Sequence, residues 1–193
     1  MTDSAVSRNR IQGQWTVDDL DSLPADLKQY ELWDGNLIIM PAPSIRHQMI
    51  VKRLVKAFLA FDLDETQGEL LFAPADVVLS PEWVVQPDIL FVSNERREII
   101  HFQRIYGAPD LVVEVLSPRM TQSDRTAKRD AYAEAGVNEY WLLDADAETI
   151  TLLALKDRKY VEQGVYRVDD QVESIVLQGL NVDVSAIFRA LPE

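Results

Sequence analysis

The stretch GAPDLVVEVLSP, residues 107–118, constrains the fold of this chain more than any other part of the sequence. Its centre, Leu111–Leu116, is apolar at every position except Glu114. Val and Leu without alternation are typical of a strand that is buried on both faces, in the middle of an α/β sheet covered by helices. The stretch therefore predicts a mixed α/β fold. It also raises the question of which group pairs with a buried Glu114 carboxylate, because an unpaired one costs several kcal/mol.

The order of the predicted elements agrees with this fold class. YELWDGNLIIM alternates around Asp34-Gly35, a dipeptide that suits a type I′ hairpin turn. Helices are predicted after the capping residue Ser44 and over Thr121–Ala135, and the second of them ends at a glycine. Apolar runs predict strands, which we assign to a single sheet, over residues 69–80, 83–92, 109–117, 139–144 and 149–155.

Length and composition indicate one folded domain. A chain of 193 residues can bury a substantial core, so we expect residues 15–193 to form one domain and the polar residues 1–14 to be poorly ordered. No stretch approaches the roughly 18–20 apolar residues of a membrane span, and no export signal is visible. Cysteine is absent, which excludes disulfides and thiolate metal sites. We therefore expect a cytoplasmic protein that does not associate with membranes.

The charge distribution bears on nucleic-acid binding. A net charge of −13 argues against a general affinity for phosphates. Two segments depart from this average: residues 45–60 hold four Lys or Arg and no acid, and residues 117–130 hold four against two acids. Ordinary solvated helix faces have the same composition. If both segments border one site, they form a local track for phosphates; if they lie elsewhere, the chain is better explained as a protein-interaction module.

A partner for Glu114 can be sought by strand geometry. Asp110 lies on the same strand face, but four residues along a strand place it about 13 Å away, too far to share one metal ion. Asp88 of PDILFV falls opposite Glu114 if this segment and PDLVVEV pair as antiparallel neighbours. Cross-strand side chains have Cβ atoms about 5 Å apart, so both carboxylates could bind one hard divalent cation. The alternative role of Asp88 is to cap the start of its strand after Pro87.

The helix after Glu114 adds a cation to this pair. Asp124, Lys128 and Tyr132 follow one another at helical spacing and share one face. A lysine beside two metal-binding carboxylates can orient an attacking water or stabilise the charge that develops on a phosphate. These groups suit phosphodiester hydrolysis. An exposed Lys128 that pairs only with Asp124 is the alternative.

Five motifs carry a resemblance to a known family. The chain resembles the Uma-two family of "putative restriction endonucleases", a branch of the PD-(D/E)xK nuclease superfamily. The resemblance lies, in chain order, in YELWDGNLIIM, RHQMIVKRL, QPDILFV, GAPDLVVEVLSP and DRTAKRDAYAEAGVNEYWLLD. The resemblance implies a restriction-endonuclease-like fold, a mixed sheet flanked by helices, and cleavage of nucleic acid with Mg²⁺ or Mn²⁺. By analogy it also implies a homodimer, since such nucleases often cut two strands as a pair.

Residue by residue, the resemblance assigns the metal ligands to Asp88 and Glu114. The lysine of the superfamily motif would fall on Leu116, which is a departure, and Lys128 stands in its place on the helix. Glu31 matches the acidic residue at the start of the core, although a polar residue facing out of an edge hairpin would look the same. The predicted catalytic set is completed by candidate substrate contacts, which are Arg46, His47, Arg125 and Tyr132.

The function predicted from these residues is metal-dependent endonucleolytic cleavage, with DNA as the substrate. One alternative is a catalytically silent or partner-dependent protein that keeps the nuclease fold as an interaction module. A second is a hydrolase acting on a small phosphoester, which a narrow, closed pocket would favour over an open groove.

Overall fold

The structure is a computed structural model that describes residues 11–23, 28–62, 66–117 and 120–192. Within these residues the helices are α1 (Val17–Leu20), α2 (Ile45–Phe61), α3 (Gln122–Ala135), α4 (Val184–Phe188) and a 3-10 helix (Asn94–Ile99). The strands are β1 (Gln29–Trp33), β2 (Asn36–Met40), β3 (Gly68–Phe72), β4 (Val77–Ser80), β5 (Trp83–Val85), β6 (Ile89–Ser93), β7 (Ile105–Tyr106), β8 (Leu111–Val115), β9 (Glu139–Asp144), β10 (Thr149–Lys156), β11 (Lys159–Tyr166), β12 (Gln171–Glu173) and β13 (Asn181–Asp183).

The described strands form three sheets, so the prediction of a single sheet is wrong. The first sheet has the order β2-β1-β5-β4-β7, the second has the order β11-β10-β9-β8-β6-β3, and β12 and β13 form a small third one. The two runs that contain Pro74 and Pro87 each divide into two strands that belong to different sheets. Because proline cannot donate to a strand ladder, pairing stops at these residues and the chain passes from one sheet to the other.

Strand β8 occupies the predicted central position in the second sheet. All five of its residues are buried, and it lies between an antiparallel neighbour, β6, and a parallel one, β9. The parallel connection from β8 to β9 runs through α3, as parallel strands require a long crossover. The mixed α/β fold is therefore confirmed, with α3 held directly beside the strand that carries Glu114.

The predicted hairpin is also confirmed. Strands β1 and β2 pair in register around Asp34 and Gly35, whose φ angles of 51° and 69° are the two positive values that a type I′ turn needs. The chain before α1 contacts this hairpin, since the Leu37 N–H donates to Gln12 Oε1 at 2.8 Å. Residues 1–10, which make up most of the segment predicted to be poorly ordered, lie outside the described residues.

The core lies on both faces of the second sheet. Alternate residues of β6 and β8, such as Phe91 and Val113, pack against α2, and the residues between them, such as Leu90 and Val112, pack against the first sheet and α3. Glu114 lies two residues after Val112, on the same face of β8, and its side chain therefore points towards α3. None of the described helices is both long enough and apolar enough to cross a membrane.

A buried carboxylate fastens the C-terminal part of the chain to the central sheet. Glu139 at the start of β9 is 0% exposed, and Trp141 Nε1–H donates to one of its oxygens. Its other oxygen accepts from the Ser174 hydroxyl and from the Ile175 and Val176 N–H groups at 2.9, 3.0 and 2.7 Å. These bonds satisfy a charge that burial would otherwise make costly.

We expect Glu139→Gln to lower the free energy of unfolding by about 1–3 kcal/mol, because an amide offers one acceptor oxygen and leaves a buried donor unsatisfied. Urea denaturation measures the change. Glu162→Gln, at an exposed position of β11, is the matched control and should shift stability by less than about 0.5 kcal/mol. Equal stability of the two variants would contradict the role assigned to Glu139.

Candidate active site

A groove of ≈ 1210 Å³, open to solvent, collects side chains from both main sheets and two helices. Asp88 comes from the segment between β5 and β6, Glu114 from β8, and Glu31 from β1. His47 reaches the groove from the first turn of α2, and Lys128 reaches it from α3. The structure thus brings together the four residues predicted to be catalytic and three of the four candidate substrate contacts, since Arg46 and Arg125 also border the groove.

Asp88 lies where the predicted register places it. Strands β6 and β8 pair Ile89 with Val113, so Asp88 precedes the ladder at the position opposite Glu114. Its Oδ2 accepts from the Val115 N–H at 2.7 Å, and its Oδ1 lies 2.8 Å from His47 Nε2. Asp88 therefore bonds to the neighbouring strand rather than capping its own, which removes the alternative considered for it.

Glu114 is 8% exposed and is held from the α3 side. Its Oε1 accepts from the Tyr132 hydroxyl at 2.7 Å and lies 2.7 Å from Lys128 Nζ. Burial raises the pKa of Glu114 to about 7; Lys128 opposes this, while the carboxylates of Asp88 and Glu31 add to it. Burial and the two neighbouring carboxylates thus outweigh the lysine, and Glu114 keeps its proton to a higher pH than an exposed glutamate.

Lys128 is 2% exposed and bridges two carboxylates. Its Nζ lies 2.7 Å from Glu114 and 3.3 Å from Glu31, and 5.8 Å from the centre of the Trp33 ring. Burial alone would lower the pKa of Lys128, but the two carboxylates outweigh it and the pKa is raised, so the ammonium stays charged. The alternative pairing with Asp124 is wrong, because that carboxylate accepts from Thr121 at the N-terminus of α3.

Glu31 does not face out of the hairpin. It is 1% exposed, and three donors surround it: Trp33 Nε1–H at 2.6 Å, the Gln86 N–H at 2.7 Å and Lys128 Nζ at 3.3 Å. Both oxygens are thus engaged by the protein. Glu31 fixes the lysine and the backbone two residues before Asp88.

Two residues of this cluster, Trp33 and Gln86, were not singled out from the sequence. Trp33 follows Glu31 by two positions, which places both side chains on one strand face. Gln86 Nε2 donates to Asp76 at 2.7 Å, and the side chain borders the groove. Gln86 could have been found as a polar residue inside the apolar run WVVQPDIL, just as Glu114 was found as a polar residue inside its own apolar run.

The two basic segments both contribute to the groove, through Arg46 and Arg125. The Nε atom of each is buried and has no hydrogen-bond partner among the described residues. The terminal nitrogens of Arg46 donate to Asp146 at 3.0 Å and to the Ala145 carbonyl. Other bases of the first segment lie elsewhere; Arg53, for instance, donates to Ile187 O.

Two sequence candidates lie away from the groove surface. Tyr132 was predicted as a substrate contact, but it is 0% exposed and its hydroxyl is used to hold Glu114. Asp110, in the second Pro-Asp pair, accepts from the Ser93 N–H at 2.8 Å and pairs with Arg96 at 3.1 Å. It anchors the entry of β8 and takes no part in the groove, as strand geometry predicted.

Comparison with known proteins identifies the family. The pattern of the Uma2 family, described as "Putative restriction endonuclease", matches residues 17–185. The chain belongs to the Uma2 family. A crystal structure titled as a putative nuclease belonging to DUF820, from Anabaena variabilis, superposes with a TM-score of 0.76 at 21% identity, over 92% of this chain and 99% of that one. This likeness confirms the fold. No protein with curated function matches the chain.

The donor set of this Uma2 protein fits a hard divalent cation. No three His, Cys, Asp or Glu side chains within the described residues form a ready-made cage. Mg²⁺, however, is commonly bound by one or two carboxylates and keeps several waters. Asp88 and Glu114 each anchor one oxygen on protein donors, Val115 N–H and the Tyr132 hydroxyl respectively, which orients the carboxylate. Among the described residues the hydrogen bonds of Glu114 all reach Oε1, so Oε2 is available to a cation.

The raised pKa of Glu114 predicts a pH dependence of stability. Folding raises it from 4.5 to about 7, so between these pH values the folded protein binds more protons than the unfolded chain. Stability must therefore fall as pH rises through this window, by up to about 3 kcal/mol. Glu114→Gln removes this contribution, so the stability of the variant relative to wild type should rise from pH 5 to pH 8. Urea denaturation in EDTA measures it, with Glu162→Gln as control; a difference that is constant with pH would contradict the assignment.

Removal of the buried Lys128 ammonium should lower the stability of the fold. We expect Lys128→Met to lower the free energy of unfolding by about 3–5 kcal/mol at pH 8, because two buried carboxylates lose their counter-ion. Lys56→Met, at an exposed position of α2, is the matched control. Adding Glu114→Gln to Lys128→Met should restore part of the loss, and thermal and urea unfolding would show it. A loss below about 1 kcal/mol would mean that Lys128 does not compensate these charges.

Proposed function

We propose that the protein is a metal-dependent endonuclease that hydrolyses phosphodiester bonds in DNA. The observation that carries the proposal is the placement of Asp88 and Glu114 side by side at the groove, with the Lys128 ammonium 2.7 Å from Glu114. Asp88 and Glu114 would hold Mg²⁺ or Mn²⁺. A bound ion supplies Lewis-acid stabilisation of a phosphate and lowers the pKa of a water.

The other residues of the cluster have supporting roles in this proposal. Lys128 stabilises the negative charge that builds up on the phosphate, or orients the attacking water, and so takes the role that the superfamily motif gives to a lysine at residue 116. Glu31 positions Lys128, since its own oxygens are already engaged by Trp33 and Gln86. Tyr132 fixes the orientation of Glu114 from the buried side.

The shape of the site supports a polymeric substrate. A groove of ≈ 1210 Å³ that is open to solvent exceeds the roughly 300–1,000 Å³ of pockets for small ligands. This favours a nucleic acid over a small phosphoester.

The charges at the groove support a catalytic protein over an interaction module. Arg46 and Arg125, one from each basic segment, border the same groove as Asp88. They place positive charge beside the groove although the chain as a whole carries a charge of −13, and Arg46 shares its charge with Asp146. We further propose a cytoplasmic homodimer, since cutting both strands of a duplex takes two sites and closed two-fold pairs are the commonest oligomers.

A nicking assay on supercoiled plasmid with Mg²⁺ or Mn²⁺ tests the proposal. We expect Asp88→Asn and Glu114→Gln each to reduce the rate at least about 100-fold, because each removes a charged ligand of the ion. Asp110→Asn is the matched control: it alters the other Pro-Asp pair and should keep the wild-type rate at a temperature where circular dichroism shows it folded.

Two other results would each reject the catalytic assignment. Equal nicking by wild type, Asp88→Asn and Glu114→Gln would place the activity outside this site or in a contaminant. If wild type binds the ion through Asp88 but nicks no plasmid with either ion, the interaction module is favoured instead.

A further inference from the structure

We propose that His47 is a ligand of the divalent ion through Nε2, and that its imidazole makes this site prefer Mn²⁺ to Mg²⁺. The inference deepens the proposed function and rests on it, because it concerns the ion that Asp88 and Glu114 would hold.

His47 is presented to the groove by a rigid element. It lies in the first turn of α2, where its N–H donates to the Ser44 side chain at 3.1 Å and fixes the start of the helix. Farther along the same helix, Ile50, Leu54 and Phe58 are in the core. The imidazole is therefore held in place by packing that does not depend on the site itself.

The distance between His47 and Asp88 fits two neighbouring ligands of one ion. His47 Nε2 lies 2.8 Å from Asp88 Oδ1, and the two side chains are only 16% and 15% exposed. Adjacent ligands of an octahedral ion with bonds of about 2.1 Å lie about 3.0 Å apart. Since the Val115 N–H already holds Oδ2, Oδ1 is the oxygen that Asp88 offers both to His47 and to a cation.

The pair of His47 and Asp88 is the preformed part of this site. The described residues contain no ready cage of three ligands, so Glu114 would complete the set through Oε2 when the ion arrives. Without an ion, the 2.8 Å contact is a hydrogen bond that Nε2–H donates to Asp88. A bound ion would take the place of that proton, because in the neutral imidazole with its proton on Nδ1, Nε2 carries the lone pair that a metal needs.

The nitrogen donor sets the ion preference. Carboxylates and water suit Mg²⁺ and Mn²⁺ alike, whereas imidazole suits transition-metal ions and is seldom used by Mg²⁺. A site of two carboxylates alone would not discriminate strongly between the two ions. The same site with His47 should bind Mn²⁺ more tightly.

Pulsed electron paramagnetic resonance of the Mn²⁺-loaded, tag-free protein tests direct ligation. We expect a ¹⁴N coupling from a bound imidazole, replaced by a ¹⁵N pattern when the histidines are ¹⁵N-labelled. The chain has 2 histidines, so His101→Ala, which removes the exposed one, should keep the coupling, and His47→Gln should abolish it. The amide introduced by His47→Gln would still be able to donate a hydrogen bond to Asp88, but it offers no imidazole nitrogen to the ion.

Isothermal titration with Mn²⁺ and with Mg²⁺ tests the preference. We expect His47→Gln to weaken Mn²⁺ binding about tenfold and Mg²⁺ binding by less than about twofold, while His101→Ala changes neither. Loss of Mn²⁺ binding in Asp88→Asn would support the proposed nuclease site. If, in addition, wild type shows no ¹⁴N coupling or His47→Gln binds Mn²⁺ as tightly as wild type, the role of His47 is overturned and the proposed nuclease site is left intact. No Mn²⁺ binding by wild type would overturn both.

Discussion

The arrangement of the whole groove depends on one buried ammonium group. Lys128 Nζ lies between Glu114 of the second sheet and Glu31 of the first, and both carboxylates are almost fully buried. Taking three charges out of water is expensive, and their mutual attraction repays the cost only when the geometry is close. The ion pair therefore requires the two sheets and α3 to meet in one relative position, which is the position that places Asp88 beside Glu114.

The site also depends on the point where the chain changes sheets. Between β5 and β6, residues 86–88 leave the first sheet and enter the second, and their backbone is fastened at both ends of the step. Glu31 accepts from the Gln86 N–H, and Asp88 accepts from the Val115 N–H. Polar groups in a segment that passes between two sheets would be unfavourable in a core without such partners. Here the segment brings the Asp88 carboxylate to the groove.

The sequence was informative where local pattern and chain connectivity decide the result. The apolar run around Glu114 predicted the central strand, Asp34-Gly35 predicted the hairpin, and the connection between β6 and β8 set the register that pairs Asp88 with Glu114. It failed where long-range packing decides. Which sheet a short strand joins is not encoded in its alternation, so the division into two main sheets was missed. Tyr132 was placed on the correct face of α3, but its burial against Glu114 required the packed structure.

The contact between Glu31 and Trp33 gives the protein an internal optical probe. An indole emits at a wavelength that depends on the electric field across its ring, and the Trp33 ring donates to one charged group of the cluster while another lies 5.8 Å from its centre. The other three of the 4 tryptophans, Trp15, Trp83 and Trp141, lie outside this ion cluster. A change of charge in this ion cluster would thus shift the emission wavelength of Trp33, without any label added to the chain.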